Sequence, residues 1–555
     1  MKKRTFLNLT IATSLVLSFN ISPIIDLSAA SIAQPVLKWA NKGCYSSWCE
    51  TGWYSSPAVA DLDGDGSMEI AASGYSIVLL DGATGALEAR MYSGHDRSET
   101  SVSNVGRTWP GVVAADIDDS PGLEIVTAHS GGWLSVYDSQ GYFKQGWPKQ
   151  VPPGNEIRSL AVYDLDHDRV LEILVATTSS QDQWYVYEPD GSLRAGLWPQ
   201  HNPDSSTNGY TAGCYNQNLS AGDLNGDTLA EIIGPNDTHY IAAFYADGSQ
   251  ALTNPLYGTN PSGALKYWSQ VGVHVDQAAD LRGYANCATE YRPNFANSAP
   301  LIMDLNNDGS AEVVVIGNVY KCSSDPYTDL YEIPIILKGD RTRWQAGAFD
   351  WTVLPAPEPG SSPLSEDYSK IENSLPNPVA ADLDGDGLKE ILYPSYDGRV
   401  HAYWLDKTEH GSWPFAVTQS PSSIRFASEP VVADLDNNGK AEVVFTSWTE
   451  VGSGLTGSLY ILDSDGVLIW QVALPPVFGS GPTWNGSLAA PTLANIDGDP
   501  DLEVVLNTAH SGVVAYDLPG TSAARIMWGT GRANYQRSGS IVLGKEKVFV
   551  PLLRK

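Results

Sequence analysis

Pro57-Ala-Val-Ala-Asp61-Leu-Asp63-Gly-Asp65-Gly66-Ser-Met-Glu69-Ile-Ala-Ala72 is the stretch that decides the fold. A short apolar run leads into an acidic loop of nine residues that ends in Glu, and a second apolar run follows. Runs this short, built from Val, Ile and Ala and bounded by Gly and Asp, read as strands rather than helices. The loop therefore joins the two strands of a hairpin.

The pattern recurs along the chain at loop positions 1, 3, 5 and 9. The first copy offers Asp61, Asp63, Asp65 and Glu69, and the second Asp116, Asp118, Ser120 and Glu124. The third has Asp164, Asp166, Asp168 and Glu172, and the fourth Asp223, Asn225, Asp227 and Glu231. The fifth has Asp304, Asn306, Asp308 and Glu312, and the sixth Asp382, Asp384, Asp386 and Glu390. The seventh has Asp434, Asp436, Asn438 and Glu442, and the eighth Asn495, Asp497, Asp499 and Glu503.

Calcium takes six to eight oxygen ligands. Oxygens at positions 1, 3 and 5 of a tightly curled loop converge, a backbone carbonyl near position 7 adds one, and Glu at position 9 closes the cage. Glycine at position 6 supplies the positive φ of the turn. Without a cation, that many carboxylates would repel one another. The spacing thus predicts up to eight calcium ions. An EF-hand also opens D-x-D-x-D-G, but it needs an acid at position 12, where this chain has Ala72 or Tyr393, and it needs flanking helices. Copies one and six match the ideal best. Copy two has Ser120 and Pro121, copies three and four place Arg169 and Thr228 at the glycine position, and copy eight has Asn495 and Pro500. Weaker binding, or none, is expected in those four.

After each hairpin many units show a further strand and turn, as in Leu134–Gly141, Tyr185–Gly191 and Leu459–Gly466, and then a Trp-bearing stretch around Trp147, Trp198, Trp413 or Trp470. Four antiparallel strands make one propeller blade. Spacing between loop starts runs from 48 residues (Asp116 to Asp164) to 81 (Asp223 to Asp304). The longer gaps hold insertions at about 251–298 and 321–371. Eight loops predict an all-β, single eight-bladed β-propeller over residues 34–545. A seven-bladed ring with one loop outside it is the alternative. The Trp stretches Val36–Trp39 and Ile526–Trp528 are candidates for closing the ring.

This pattern resembles the FG-GAP/VCBS repeat family, in a secreted bacterial form, which includes the propeller of integrin α subunits. The resemblance spans roughly residues 50 to 540 and implies a propeller with calcium held in hairpin loops on one face. No Arg-Gly-Asp motif occurs.

The rest of the chain bounds the setting. Lys2, Lys3 and Arg4 precede the apolar run Phe6–Phe19, and Ser28-Ala29-Ala30 and Ser31-Ile32-Ala33 offer cleavage after Ala30 or Ala33. Residues 1–33 read as an export signal, and no later stretch is suited to span a membrane. A secreted or cell-surface location follows. Of five cysteines, Cys44 and Cys49 can staple one loop and Cys287 and Cys322 can join the insertions, leaving Cys214. The net charge of −31 excludes a nucleic-acid partner. Residues 546–555 form an apolar tail with a basic end. The chain is read as a monomer.

No zincin, Walker or nucleophile-elbow motif is present. His129 and His510 sit in matching Ala-His-Ser-Gly stretches and read as repeated framework. The insertions hold Tyr257, Tyr267, Trp268, Tyr284, Tyr291, Tyr327, Trp344 and Trp351 with Lys266, Arg282, Arg292, Arg341 and Arg343, and also His274 and Asp276. These could stack on sugars and pair with uronates, or they could be the packing of long loops. The leading expectation is a non-enzymatic binding or adhesion scaffold for an extracellular glycan or protein. The alternative is an extracellular polysaccharide-degrading enzyme such as a rhamnogalacturonan-type lyase.

Overall fold

Each of the eight acidic loops joins two neighbouring antiparallel strands of its own blade sheet. The computed structural model describes residues 32–541 apart from 46–47, 51, 53, 103–105, 180–182, 201–218, 236–237, 287, 296, 322–330, 356–359, 366, 368–369, 371–373 and 419–422. The leader before Ile32, the tail, Tyr327, Cys214 and the expected Cys287–Cys322 pair lie outside the described residues.

Blade one consists of Ala58–Ala60, Glu69–Ser73, Ser76–Asp81 and Leu87–Tyr92, in that order. Blades two and six repeat this plan with four strands, and among the described residues blades three and four show three. The register is the same everywhere: the residue before each loop pairs with the loop's Glu, as in Ala60 with Glu69, Ala381 with Glu390 and Ala494 with Glu503. Middle strands such as Glu69–Ser73 and Glu390–Pro394 are buried throughout. Their near-continuous apolar sequences reflect packing on both faces. The cores are accordingly inter-blade. One lies between blades eight and one, one between one and two, one between two and three, and one between three and four; a larger one joins the remaining blades.

The tryptophans fasten neighbours. The indole N–H of Trp147 donates to the Pro189 carbonyl at 2.6 Å, that of Trp198 to Ala246 at 3.0 Å, that of Trp413 to Ser464 at 2.9 Å and that of Trp39 to Gly82 at 2.9 Å. Each bond leaves one blade and ends on the next, so a large apolar ring and its one polar atom are both satisfied at the seam.

Ring closure uses the N-terminal strand Val36–Lys42, which pairs with Val513–Leu518 as the outer strand of blade eight. Ile32 precedes it and is buried, and its carbonyl accepts from the Trp470 indole at 2.9 Å. The second Trp stretch does something different. Arg525–Trp528 pairs with the inner strand Val431–Asp434 of blade seven. From there the chain turns through the centre of the ring. The Gly529 carbonyl accepts from Leu493 N of blade eight, Tyr535 from Ala114 of blade two, Gln536 from Val162 of blade three, Ser538 from Ala221 of blade four and Gly539 from Ile302 of blade five. Ser540–Ile541 ends parallel to Leu301–Met303. Residues 529–541 thus occupy the central channel.

Of the stretches expected as insertions, Tyr331–Lys338 is the third strand of blade five. The earlier stretch carries a short helix, Gln277–Arg282, N-capped by Asp276, whose carboxylate accepts from Ala278 N. Among the described residues no helix is long and apolar enough to cross a membrane.

Candidate metal centres in the hairpin loops

Loop position 2 is a buried Leu or Ile in all eight copies, from Leu62 to Ile496. It anchors the loop, and its backbone N–H is held by the loop's own Glu. Leu62 N donates to Glu69 at 2.7 Å, Ile117 to Glu124 at 3.0 Å, Leu165 to Glu172 at 2.8 Å and Leu224 to Glu231 at 2.8 Å. Leu305 donates to Glu312 at 3.0 Å, Leu383 to Glu390 at 2.7 Å, Leu435 to Glu442 at 2.8 Å and Ile496 to Glu503 at 2.9 Å. In every case the acceptor is Oε2. That leaves Oε1 as the second carboxylate oxygen at the loop.

The Asp at position 1 curls the loop by accepting from the N–H of position 6: Gly66 at 3.1 Å, Gly387 at 2.9 Å and Gly439 at 3.0 Å. Arg169 and Thr228 make the same bond in copies three and four, at 3.1 and 2.9 Å, and adopt the positive φ of 78° that glycine takes elsewhere. Side chains there are strained, not excluded. In copy two, where position 6 is Pro121, the positive φ passes to Gly122.

Positions 1, 3 and 9 converge. The ligand atoms of Asp61, Asp63 and Glu69 lie within 4.8 Å of one another, as do those of Asp116, Asp118 and Glu124, of Asp164, Asp166 and Glu172, of Asp382, Asp384 and Glu390, and of Asp434, Asp436 and Glu442. Position 5 behaves differently. Asp65, Asp168, Asp227, Asp308, Asp386, Asn438 and Asp499 are exposed, and each uses one oxygen to accept from the backbone two residues on, as Asp65 does from Ser67 at 2.7 Å.

The electrostatics of these clusters fit a divalent cation. Burial pushes the Glu390 carboxyl up to about 8, and the charges of Asp384, Asp386 and Asp382 add to the effect. Glu69 is pushed up to about 7 by burial and by Asp63, Glu88 and Asp61. Glu231 and Glu312 reach about 7 and Glu442 about 8 for the same reasons. Glu390 Oε1 is buried without a hydrogen-bond partner. A hard cation with oxygen preference answers both the charge and the orphaned oxygen.

The groups expected to serve a polymer substrate sit elsewhere. Trp268, Trp344, Trp351, Tyr257, Arg341 and Arg343 are all buried. Asp280, which sequence reasoning missed, explains the arginines: Arg343 Nε lies 3.0 Å and Arg341 Nη1 3.8 Å from its carboxylate, and His274 Nδ1 lies 3.0 Å away. Of the remaining group, Arg282 and Tyr284 are exposed and stack on each other at 4.8 Å. His129 is fully buried, and burial lowers it to about 4.

The chain is an eight-bladed propeller with an acidic hairpin loop in every blade. Residues 382–445 match the FG-GAP-like repeat model. No curated protein sequence matches the chain. Among solved structures it is similar to the Vibrio cholerae biofilm matrix protein Bap1, at 14% identity over 88% of this chain and 92% of that one, with a TM-score of 0.36. It is similar to the exotype rhamnogalacturonan lyase YesX at 14% identity over 87% and 75%, with a TM-score of 0.46. It is also similar to Sqt1 of Saccharomyces cerevisiae at 12% identity over 86% and 99%, again with a TM-score of 0.46.

Proposed function

We propose that this protein is a secreted or cell-surface propeller, set in shape by calcium in its hairpin loops, that presents its surface to an extracellular glycan or protein without catalysing a reaction. The observation that carries this reading is that six of the candidate groups, Trp268, Trp344, Trp351, Tyr257, Arg341 and Arg343, are engaged in packing. Arg341 and Arg343 are turned inward onto Asp280, and the central channel holds residues 529–541. A lyase needs a cationic groove open to a uronate chain. Here the cations best placed for one neutralise a buried carboxylate instead. The disulfide between Cys44 and Cys49 fits an oxidising compartment.

The test is to incubate the mature chain with a panel of polysaccharides, with and without calcium, recording retention on the polymer and release of unsaturated sugar ends. Calcium-dependent retention without product is expected for a glycan scaffold. Retention by neither condition directs the search to protein partners. Release of unsaturated product would overturn the non-catalytic reading.

A further inference from the structure

The loops differ in what faces their carboxylates. In loop two, Lys144 Nζ lies 2.9 Å from Asp118, 3.0 Å from Ser120 and 2.8 Å from Glu124. Those are positions 3, 5 and 9, and the three bonds use all three ammonium donors; Asp116 Oδ1 is left without a partner. In loop three, Arg194 lies 2.6 Å from Asp166 and 2.6 Å from Glu172, again positions 3 and 9, and 3.1 Å from Glu188. In loop eight, Lys38 pairs with Asp497 and lies 3.1 Å from Glu503, positions 3 and 9 once more. Two of these cations come from the blade's own third-strand turn, and the third from the closing N-terminal strand.

The other loops lack such a side chain among the described residues. Lys144, Arg194, Ala251 and Trp344 occupy one equivalent position in blades two to five, since each backbone N–H bonds to the carbonyl eight residues earlier: Val136, Val186, Ala243 and Ile336. Where blade four has Ala251 in place of the cation, a cavity of about 380 Å³ opens, lined by Asn225, Glu231, Lys338 and Trp344 among others. In loop six, Glu390 Oε1 is buried and unpartnered, facing Asp382 and Asp384. Loop one has Glu88 nearby, a further acid. In loop seven, Arg525 approaches only Asp434, at 3.5 Å, from a side chain that is 61% exposed.

We infer that loops two, three and eight are closed to metal because a tethered Lys144, Arg194 or Lys38 stands where the ion would, and that calcium is confined to loops one, four, five, six and seven. This inference rests on the calcium reading above and narrows it from eight sites to five. An ammonium or guanidinium bridging positions 3 and 9 neutralises the pair with charge-assisted hydrogen bonds at no cost in ligand concentration. A calcium ion entering such a loop would have to displace it.

The test is to strip the full-length mature chain of metal and measure bound calcium per chain by equilibrium dialysis at saturation. Five ions are expected. Lys144→Gln, Arg194→Gln and Lys38→Gln should each raise the count to six. Ala251→Lys, which carries the tethered cation into blade four, should lower it to four. Zero ions in the parent chain would remove the calcium reading itself. Eight ions would leave that reading standing and overturn the inference, as would Gln variants and Ala251→Lys that all remain at five. A Gln variant that folds poorly without metal but regains its melting temperature in calcium counts in favour.

Discussion

Arg537 Nη2 donates to the Pro57 carbonyl at 2.9 Å, joining residues 480 positions apart. The same guanidinium bonds Ser56, Val112, Thr530 and Gly531, so its five N–H groups are all engaged within blades one and two and the central segment. Arg537→Met keeps much of the volume but takes the donor from the Val112 and Gly531 carbonyls, while the Ser56 and Pro57 carbonyls keep Val112 N and Thr492 Oγ1. The expected cost is about 2–6 kcal/mol, about 1–3 for each of the two carbonyls left without a donor. Urea unfolding of the metal-loaded chain measures it. A cost below about 1 kcal/mol would mean that water replaces the arginine.

Removing metal should lower stability, because an ion bound only by the folded chain adds about 2.7 kcal/mol per site at a hundredfold excess over Kd. Glu390→Gln isolates one site. It deletes the carboxylate whose ionisation is suppressed in the empty loop, so the variant should lose less on chelation than the parent. Melting temperatures in calcium and in chelator, compared for both chains, give the difference. An equal gap in the two would show that loop six takes no part.

His401 offers a pH dependence independent of the loops. Its Nε2 lies 3.1 Å from Asp397 and its Nδ1 3.1 Å from Glu409, with Tyr393 and Tyr403 stacked alongside, Arg399 beside Asp397, and Glu332 nearby. Burial opposes its charge, but the bonds to Asp397 and Glu409 prevail and push it up to about 10. A folded pKa above the unfolded value stabilises fully below about 6.5 and is lost as pH rises towards 10. Glu332, pushed up to about 8 by burial, acts in the same sense between about 4.5 and 8. With calcium saturating, stability should therefore fall from pH 6.5 to 10, at about 1.4 kcal/mol per pH unit for each proton involved. His401→Gln should flatten the fall above pH 8, read by urea unfolding at each pH.

Ile32 belongs to the buried core and receives the Trp470 indole bond. Cleavage after Ala33 would discard both contacts, whereas cleavage after Ala30 keeps them. The mature chain is expected to begin at Ser31, and intact-mass measurement of the secreted protein distinguishes this from a start at Gln34.

The blades were legible because the loop spacing is strict: eight Glu residues at position 9 meet eight backbone N–H groups at position 2, and no helix can hold that register. The tethered cations were half legible. Asp138-x-x-Gly141-x-x-Lys144 and Glu188-x-x-Gly191-x-x-Arg194 repeat one turn with a base three residues past the glycine, a pattern visible in the chain. Lys38 was not, because it reaches loop eight from the other end of the sequence. The central segment was hidden for another reason. Gly529–Ile541 has neither period 2 nor period 3.6, and most of its bonds are to backbone groups, which carry no sequence signal. The aromatic and basic residues of 251–371 looked like a binding surface because composition alone does not register a single buried Asp280.

The filled channel bears on when this molecule becomes a finished one. The inner strands of blades two, three, four and five leave their edges unbonded until residues 535–539 arrive, and those residues are made after every blade. An incomplete chain therefore displays a circle of open strand edges, which are sticky and readily recognised. A chain truncated before residue 535 thus differs from one that includes residues 535–539 in how many inner strand edges stand open.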